Sequence, residues 1–485
     1  MASNVLAVPA ETDPALPLAD RELVLEHAAS LILDAWRSFD RARPEQPVPG
    51  ERQLQLLRAP LPGEGSSPRA ALDAAADVLD VSLAQARPRF FAYIGSSGLE
   101  IGVLGDALMA SHDVNVATSA GGADLLEAQT IRWLGEFLGF DPAAVGALAA
   151  GGTIANLTAL TAARERAVPG CRSDGAAGRR LALYCSREAH YSVRRAAEVL
   201  GIGGRNVRAI PLDGARRMDP AACAEAIDAD RRAGVVPVAV VATAGTTLTG
   251  AVDDLHALAD LCEARDLWLH VDGAYGLPAA ATERAGGLFR GLARADSATV
   301  DAHKWLYVPK ACSVLLMHDL EALERAFSHE ESYMLHGGRS LAVDHTLEYS
   351  RPLRGLKLWL AFTVHGADAI RHAVQRNLEQ AQLLAALVDA DPRFELLVAP
   401  QLSAVCFRHR APAGIDADMH NAALAQAVAA DGRILLASAE LDGVTCLRAC
   451  IVNHRTTETD VRAIPAVVAD VADALLHART ADGAG

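Results

Sequence analysis

Thr299-Val300-Asp301-Ala302-His303-Lys304-Trp305 sets a lysine directly after a short apolar strand, in a chain of 485 residues whose only lysines are Lys304, Lys310 and Lys357. The other 42 of its 45 basic residues are arginines. Arginine serves surface charge, ion pairs and helix ends, but its guanidinium stays protonated and cannot condense with an aldehyde, whereas a lysine amine can. A lone lysine is ordinarily a surface charge. Here the amine stands at the end of a strand, and its surroundings decide what it means.

Outward from that strand, short apolar runs alternate with helical stretches. Strands are expected at 181–185, 207–210, 235–242, 267–271, 297–300 and 313–317, with helices such as 192–200 and 252–264 between them. That alternation predicts an α/β domain with right-handed crossovers and a mainly parallel sheet covered by helices. Upstream, residues 1–86 read as a helical arm, with helices over 20–36 and 69–86 and a loop rich in Pro and Gly over 43–68. Residues 87–150 are mixed, with an amphipathic helix over 125–138. From 366 the texture changes to a long helix over 367–388, shorter strands and a closing helix over 458–477. The expected organisation is therefore an arm (1–86), a large domain (87–365) and a small α+β domain (366–485).

Composition excludes several classes of function. A net charge of −15 and a pI near 5.5 oppose binding of nucleic acid or anionic lipid through bulk electrostatics. No run approaches the apolar length of a membrane span, and residues 1–22 carry acids and prolines where a signal peptide needs a basic end and an apolar run, so a cytoplasmic protein is expected. The eight cysteines are scattered without a Cys-x-x-Cys pair, which suggests buried small apolar residues and no disulfide framework or metal site.

In open parallel sheets ligands bind beyond the carboxyl ends of the strands. Thr246 and Thr247 follow 235–242, Asp272 follows 267–271, and His303 and Lys304 follow 297–300. The 32 residues between Asp272 and Lys304 suit one crossover, so carboxylate and amine are expected to face one pocket. Gly151-Gly152-Thr153 precedes a helical run over 154–166, and small residues at a helix N-terminus let backbone amides approach a phosphate. Alone this is a weak sign; beside a lysine, a carboxylate and a strand-end histidine it marks the phosphate end of a cofactor. Gly201-Ile202-Gly203-Gly204 follows a helix pattern instead of a strand and reads as a helix stop.

These residues carry a resemblance. Asp301-Ala302-His303-Lys304-Trp305-Leu306, His270-Val271-Asp272-Gly273-Ala274-Tyr275, Ala244-Gly245-Thr246-Thr247 and Ala189-His190-Tyr191-Ser192-Val193 resemble, in order and spacing, the group II pyridoxal-phosphate-dependent amino-acid decarboxylases, which include the aromatic amino acid, glutamate and histidine enzymes. The likeness runs from Arg87-Pro88-Arg89-Phe90-Phe91-Ala92-Tyr93 to Leu447-Arg448-Ala449 and covers most of the chain. It implies a fold-type I transferase architecture, with a mainly parallel seven-stranded sheet, and decarboxylation of an L-amino acid to its amine.

The resemblance also implies roles. Lys304 would hold pyridoxal 5'-phosphate as a Schiff base, and Asp272 would pair with the pyridine nitrogen and keep it protonated. His190 would stack on the ring face and Ala274 would lie under the ring. Thr246 would sit by the ring hydroxyl or the substrate carboxylate, while Gly152, Thr153 and His303 would surround the phosphate and the lysine. A homodimer with the site at the interface would bind a small L-amino acid, with no role for nucleic acid or membrane.

The departures from the family pattern are specific. Asp301-Ala302 stands where Asn-Pro is frequent, and Ile154 stands where many members carry an acid. In the aromatic enzymes a loop tyrosine protonates the substrate carbon; counting back without gaps from Leu356-Lys357-Leu358-Trp359 puts Ala342 at that place, with Tyr333, His336, His345 and Tyr349 in the same stretch. An oxidative, aldehyde-forming outcome and another carbon–carbon lyase reaction are the alternatives this leaves, together with a cofactor-binding protein without turnover. The small residues of 93–98 and 117–122, where relatives shape the side-chain pocket, do not name the substrate.

Overall fold

Seven strands form one sheet in the computed structural model, which describes residues 18–39, 48–83, 85–329 and 340–482. They are β1 (Val145–Ala149), β2 (Arg180–Ser186), β3 (Val207–Ile210), β4 (Val235–Thr243), β5 (Trp268–Asp272), β6 (Ser297–Asp301) and β7 (Ser313–Met317), in the spatial order β1-β7-β6-β5-β4-β2-β3. β3, β2, β4, β5 and β6 run parallel; β7 is antiparallel to both β6 and β1. Every residue of β5, β6 and β7 is buried, as expected of strands covered on both faces. Two apolar layers do the covering, one built around Tyr184, Val240, Leu269, Val300 and Trp305, the other around Ala159, Leu183, Val241 and Leu315.

The expected strands are present, each within one residue of its anticipated ends. β1 was not anticipated. Its sequence, Val-Gly-Ala-Leu-Ala, is poor in β-branched residues, and Gly146 is there because a Cβ at that position would stand 1.8 Å from the Leu315 carbonyl of the neighbouring strand.

The stretch expected to form an arm contains α1 (Leu18–Phe39), α2 (Glu51–Arg58) and α3 (Pro68–Asp80). α2 lies inside the stretch read as loop, an eight-residue helix that buries none of its side chains and so shows little periodicity. α3 begins on a Ser67 cap with Pro68 in its first turn, and stops at Asp80, short of the anticipated 86, where Val81 leaves helical backbone geometry. α4 (Glu100–His112) was hidden by Gly102 and Gly105, where a Cβ would meet Pro309 at 2.6 Å and Leu360 at 2.9 Å; the glycines permit close packing on the helix Gly355–Ala390. α5 (Gly122–Leu138) and α6 (Gly152–Ala167) follow, as expected.

The helix Gly355–Ala390 is longer than anticipated and is broken at Gly366 (φ 75°, ψ 158°), the point at which the large and small domains were divided. Beyond it, β8 (Phe394–Leu396), β9 (Ala404–His409), β10 (Ala437–Leu441) and β11 (Val444–Cys450) form an antiparallel sheet in the order β10-β11-β9-β8. This sheet has its own core around Leu384, Phe407, Leu424, Val461 and Ile464. All eight cysteines are free and buried.

Candidate active site

The parallel strands end at one edge, and register decides which residues meet there. Thr243 of β4 is level with Asp272 of β5, and Asp272 is level with Thr299 of β6, so Asp301 and the turn Ala302–Trp305 project just beyond Asp272. On the far side β2 ends at Ser186, and His190 caps the helix Tyr191–Val199 by accepting the Ser192 amide on its ring. α6 rises from β1 through Ala150-Gly151 and packs across β4, β6 and β7, which brings its N-terminus to the same edge. A cavity of about 300 Å³ results, lined by Gly151, Gly152, Thr153, His190, Asp272 and Lys304 and walled further by Asn156, Thr247, Ala274, Asp301 and His303.

Lys304 Nζ lies 3.0 Å from Asp301 Oδ2. Asp301 is 2% exposed, and its other oxygen accepts the Ser313 hydroxyl. Its oxygens stand 3.0 Å from where a Cβ of Gly152 would be, and Ala274 Cβ stands 3.1 Å from it, so side chains at 152 and 301 would compete for the same space. His303 shares a hydrogen bond of 2.9 Å between Nδ1 and the Cys312 carbonyl, and burial lowers its pKa.

Asp272 is 5% exposed; Oδ2 accepts Asn156 Nδ2 at 2.9 Å and Oδ1 accepts the Ala274 amide at 3.2 Å. Both oxygens are held as hydrogen-bond acceptors inside the protein. His190 is lowered in pKa chiefly by burial, against the raising pull of Asp272, so its neutral form is favoured. Gly273 fits tightly too: a Cβ there would meet Leu277 at 2.0 Å.

Lys304, Asp272, His190, Ala274, Gly152, Thr153 and His303 all stand in this one cavity. Thr246 does not line it. Its Oγ1 lies 2.9 Å from Thr249 Oγ1 and accepts the Ala251 amide at 3.1 Å, which closes the turn after β4, and Thr247 lines the cavity instead. Arg448 of β11 fixes this turn by donating to the Thr247 and Ala92 carbonyls at 2.8 and 2.9 Å. Tyr333 and His336 lie outside the described residues. His345 bonds Ser340 Oγ and lines a second cavity with Thr118, Ser119 and Ala342, and Tyr349 is 45% exposed; neither lines the Lys304 cavity. Sequence reasoning passed over Asn156 and Ser192 as working residues, since only the fold turns their side chains inward.

The residues present fit a phosphorylated aldehyde cofactor. One amine, Lys304, two buried carboxylates, Asp272 and Asp301, and two histidines of lowered pKa, His190 and His303, face a cavity that Ala274 and Gly152 also line. The N-cap of α6 is Gly151, which offers no side chain to its first-turn amides. Thr243, in the lining, carries a buried Oγ1 with no hydrogen-bond partner among the described residues.

Comparison with known proteins agrees. The sequence matches the pyridoxal-dependent decarboxylase conserved domain over residues 51–410. It is 32% identical over 445 residues to the aromatic-L-amino-acid decarboxylase of Bacillus atrophaeus, covering 90% of this chain and 92% of that one. The crystal structure of Oryza sativa TDC with PLP and tryptamine is similar with a TM-score of 0.88 at 28% identity, covering 95% of this chain and 99% of that one. That of Rhodiola rosea 4-hydroxyphenylacetaldehyde synthase is similar with a TM-score of 0.85 at 26% identity, over 95% and 99% of the two chains.

Proposed function

The chain belongs to the pyridoxal-dependent decarboxylases, and on that premise we propose that it converts an L-amino acid to the corresponding amine with Lys304, Asp272 and His190 as its catalytic residues. It is a carboxy-lyase that uses pyridoxal 5'-phosphate. The observation that carries the residue assignment is the convergence of these three side chains, from three strand ends, on a single cavity of about 300 Å³.

When bound, the cofactor supplies an aldehyde that an amine can condense with and a pyridine ring that takes up the electrons left when carbon dioxide departs. Lys304 would hold it covalently. The Asp272 carboxylate, fixed by Asn156 and the Ala274 amide, would hold a proton on the ring nitrogen; a buried anion beside that nitrogen favours its charged form. His190, neutral and packed on Tyr191 with ring centroids 4.3 Å apart, would cover one ring face, and Ala274 would leave room on the other. Gly152, Thr153 and His303 would receive the phosphate, with Thr246 holding the turn that presents Thr247. Asp301 would accept the Lys304 ammonium whenever that amine is free.

The reading includes a homodimer with the site at the subunit interface. In its support, α2 and α3 bury no side chain within the chain, and Leu23, Leu25, Leu57, Leu61 and Leu79 are more than half exposed along the arm. It also includes a cytoplasmic location, supported by eight free, buried cysteines; no helix among the described residues is long and apolar enough to cross a membrane.

The test is mass spectrometry of products after incubating the purified, cofactor-loaded protein with a pool of L-amino acids while peroxide is monitored. An amine without peroxide is expected. An aldehyde with stoichiometric peroxide establishes the second reading, which rests on Ala342 standing where the aromatic enzymes carry a loop tyrosine. No product from any amino acid refutes both.

A further inference from the structure

Asn156 stands where two arms of the pocket meet. Its Nδ2 donates to Asp272 Oδ2 at 2.9 Å and to Ser192 Oγ at 3.0 Å, while its Oδ1 lies 3.0 Å from His270 Nε2. The amide cannot be turned round, because that would set Oδ1 against the Asp272 carboxylate. With this orientation fixed, every proton in the network follows. His270 carries its proton on Nε2 and donates to Asn156; its Nδ1 accepts the Ser297 hydroxyl at 2.8 Å, whose oxygen in turn accepts Trp268 Nε1–H at 2.9 Å. Ser192 Oγ, already an acceptor from Asn156, donates to His190 Nδ1 at 2.9 Å, and the Ser192 backbone amide, which can only donate, points at the same nitrogen at 3.3 Å. His190 therefore keeps its own proton on Nε2. Asn156, Ser192, His270 and Ser297 are all at most 1% exposed, so water cannot replace a missing partner.

We propose that Asn156 is a positioning residue that orients, through one amide group, both the Asp272 carboxylate and the Ser192 hydroxyl, which together with the Ser192 amide holds the His190 proton on Nε2. This rests on the reading above, in which Asp272 and His190 address the cofactor ring. A carboxylate that accepts at the ring edge and an imidazole that covers the ring face stand on different elements, and each needs a fixed hydrogen-bond character, acceptor for one and Nε2–H for the other. A single side chain with donors and an acceptor in a fixed plane imposes both at once, and it does so from α6, a rigid element that also carries the Gly152 end of the cavity. His270 serves it from behind: a neutral histidine at 270 keeps Asn156 Oδ1 occupied, so the amide presents only donors to Asp272 and Ser192.

Neutron diffraction from deuterium-exchanged crystals of the full chain loaded with pyridoxal 5'-phosphate tests the assignment directly. Deuterons are expected on His270 Nε2 and His190 Nε2, with the Ser192 hydroxyl pointing to His190. A deuteron on His190 Nδ1 in place of Nε2 overturns the proposal. Asn156→Asp converts the donor to an acceptor, so the Ser192 hydroxyl should turn to the new carboxylate, His190 Nδ1 should keep only the Ser192 amide as its donor, and the cofactor dissociation constant should rise by about tenfold or more. Asn156→Leu, with the same γ-branched shape and no polarity, keeps the test decisive if the aspartate variant does not fold: it should weaken cofactor binding in the same direction. A leucine variant that folds with an unchanged dissociation constant and an unchanged visible spectrum also overturns the proposal. Amine formation by the parent reports on the decarboxylase reading separately, so a wrong proton map in a working enzyme removes only the role given to Asn156.

Discussion

Lys304 Nζ and Asp301 Oδ2 are 3.0 Å apart, three residues apart in sequence, with the aspartate side chain 3% exposed. The amine thus has a buried counter-ion on its own turn, and that counter-ion stands at the mouth of α6, where a Cβ on Gly152 would touch it. Removing one partner of a buried pair leaves the other charge uncompensated. Asp301→Ala is therefore expected to destabilise the cofactor-free protein by about 1–3 kcal/mol, read by urea unfolding. An unchanged midpoint would mean that Lys304 needs no counter-ion in that state.

Lys304→Ala should abolish the visible absorption of the loaded protein and the mass increment that borohydride fixes in the parent. Lys310 and Lys357 do not take over, since Lys357 is held 2.7 Å from Asp106 and Lys310 lies outside the cavity lining. A borohydride-fixed adduct surviving in Lys304→Ala would refute the assignment of the amine.

Asp272→Ala removes the acceptor of the Asn156 and Ala274 donors together with the carboxylate proposed to stand beside the ring nitrogen. Some cofactor should still bind and nearly all turnover should be lost, because an unprotonated ring is a poor electron sink. Parallel measurement of bound cofactor and amine production checks this; turnover near the parent's would rule the role out.

His270 is wholly buried and its pKa is pushed down to about 4 by burial. A group whose folded pKa is depressed below its unfolded value of 6.5 contributes stability that is present above pH 6.5 and is lost as pH falls toward 4. The shift corresponds to about 3 kcal/mol. Unfolding free energies from pH 7 to 4 should therefore fall less steeply in His270→Gln than in the parent, by roughly that amount; parallel curves would show that His270 does not titrate in this window.

Arg351 holds Glu127 of α5 through two hydrogen bonds, one of 2.9 Å to Oε2, with the arginine side chain 2% exposed. Arg351→Ala should cost about 3–5 kcal/mol, since Glu127 is left buried and unpaired. A double variant with Glu127→Gln should recover part of the loss, and an equal loss in single and double variants would point to packing as the cause.

Much of this was legible in the chain. β4 and β7 read as strands because burial makes them nearly continuous apolar runs, and Lys304 was conspicuous because arginine had replaced lysine almost everywhere else. The failures have local causes. β1 and α4 contain glycines that weaken their patterns for the sake of close approach by Leu315 and Pro309. Thr246 and Thr247 are equivalent on paper, and the bond from the Ala251 amide to Thr246 Oγ1 decides which of them faces the cavity. Asn156 lies 116 residues from Asp272, in a helix with no marked apolar stripe, so nothing short of the fold shows that its amide turns inward.

The antiparallel place of β1 beside β7 bears on how the protein is made. β1 leaves the ribosome early, yet its only sheet neighbour among the described residues is β7, so Gly146 waits for Leu316 and the Gly152 end of the cavity stays unanchored until Met317 has been synthesised. Contacts of such sequence separation form slowly. A nascent chain released before residue 317 would carry Asp272 and Lys304 without the wall that faces them, so the vitamin-derived cofactor would be captured only after the whole sheet has closed.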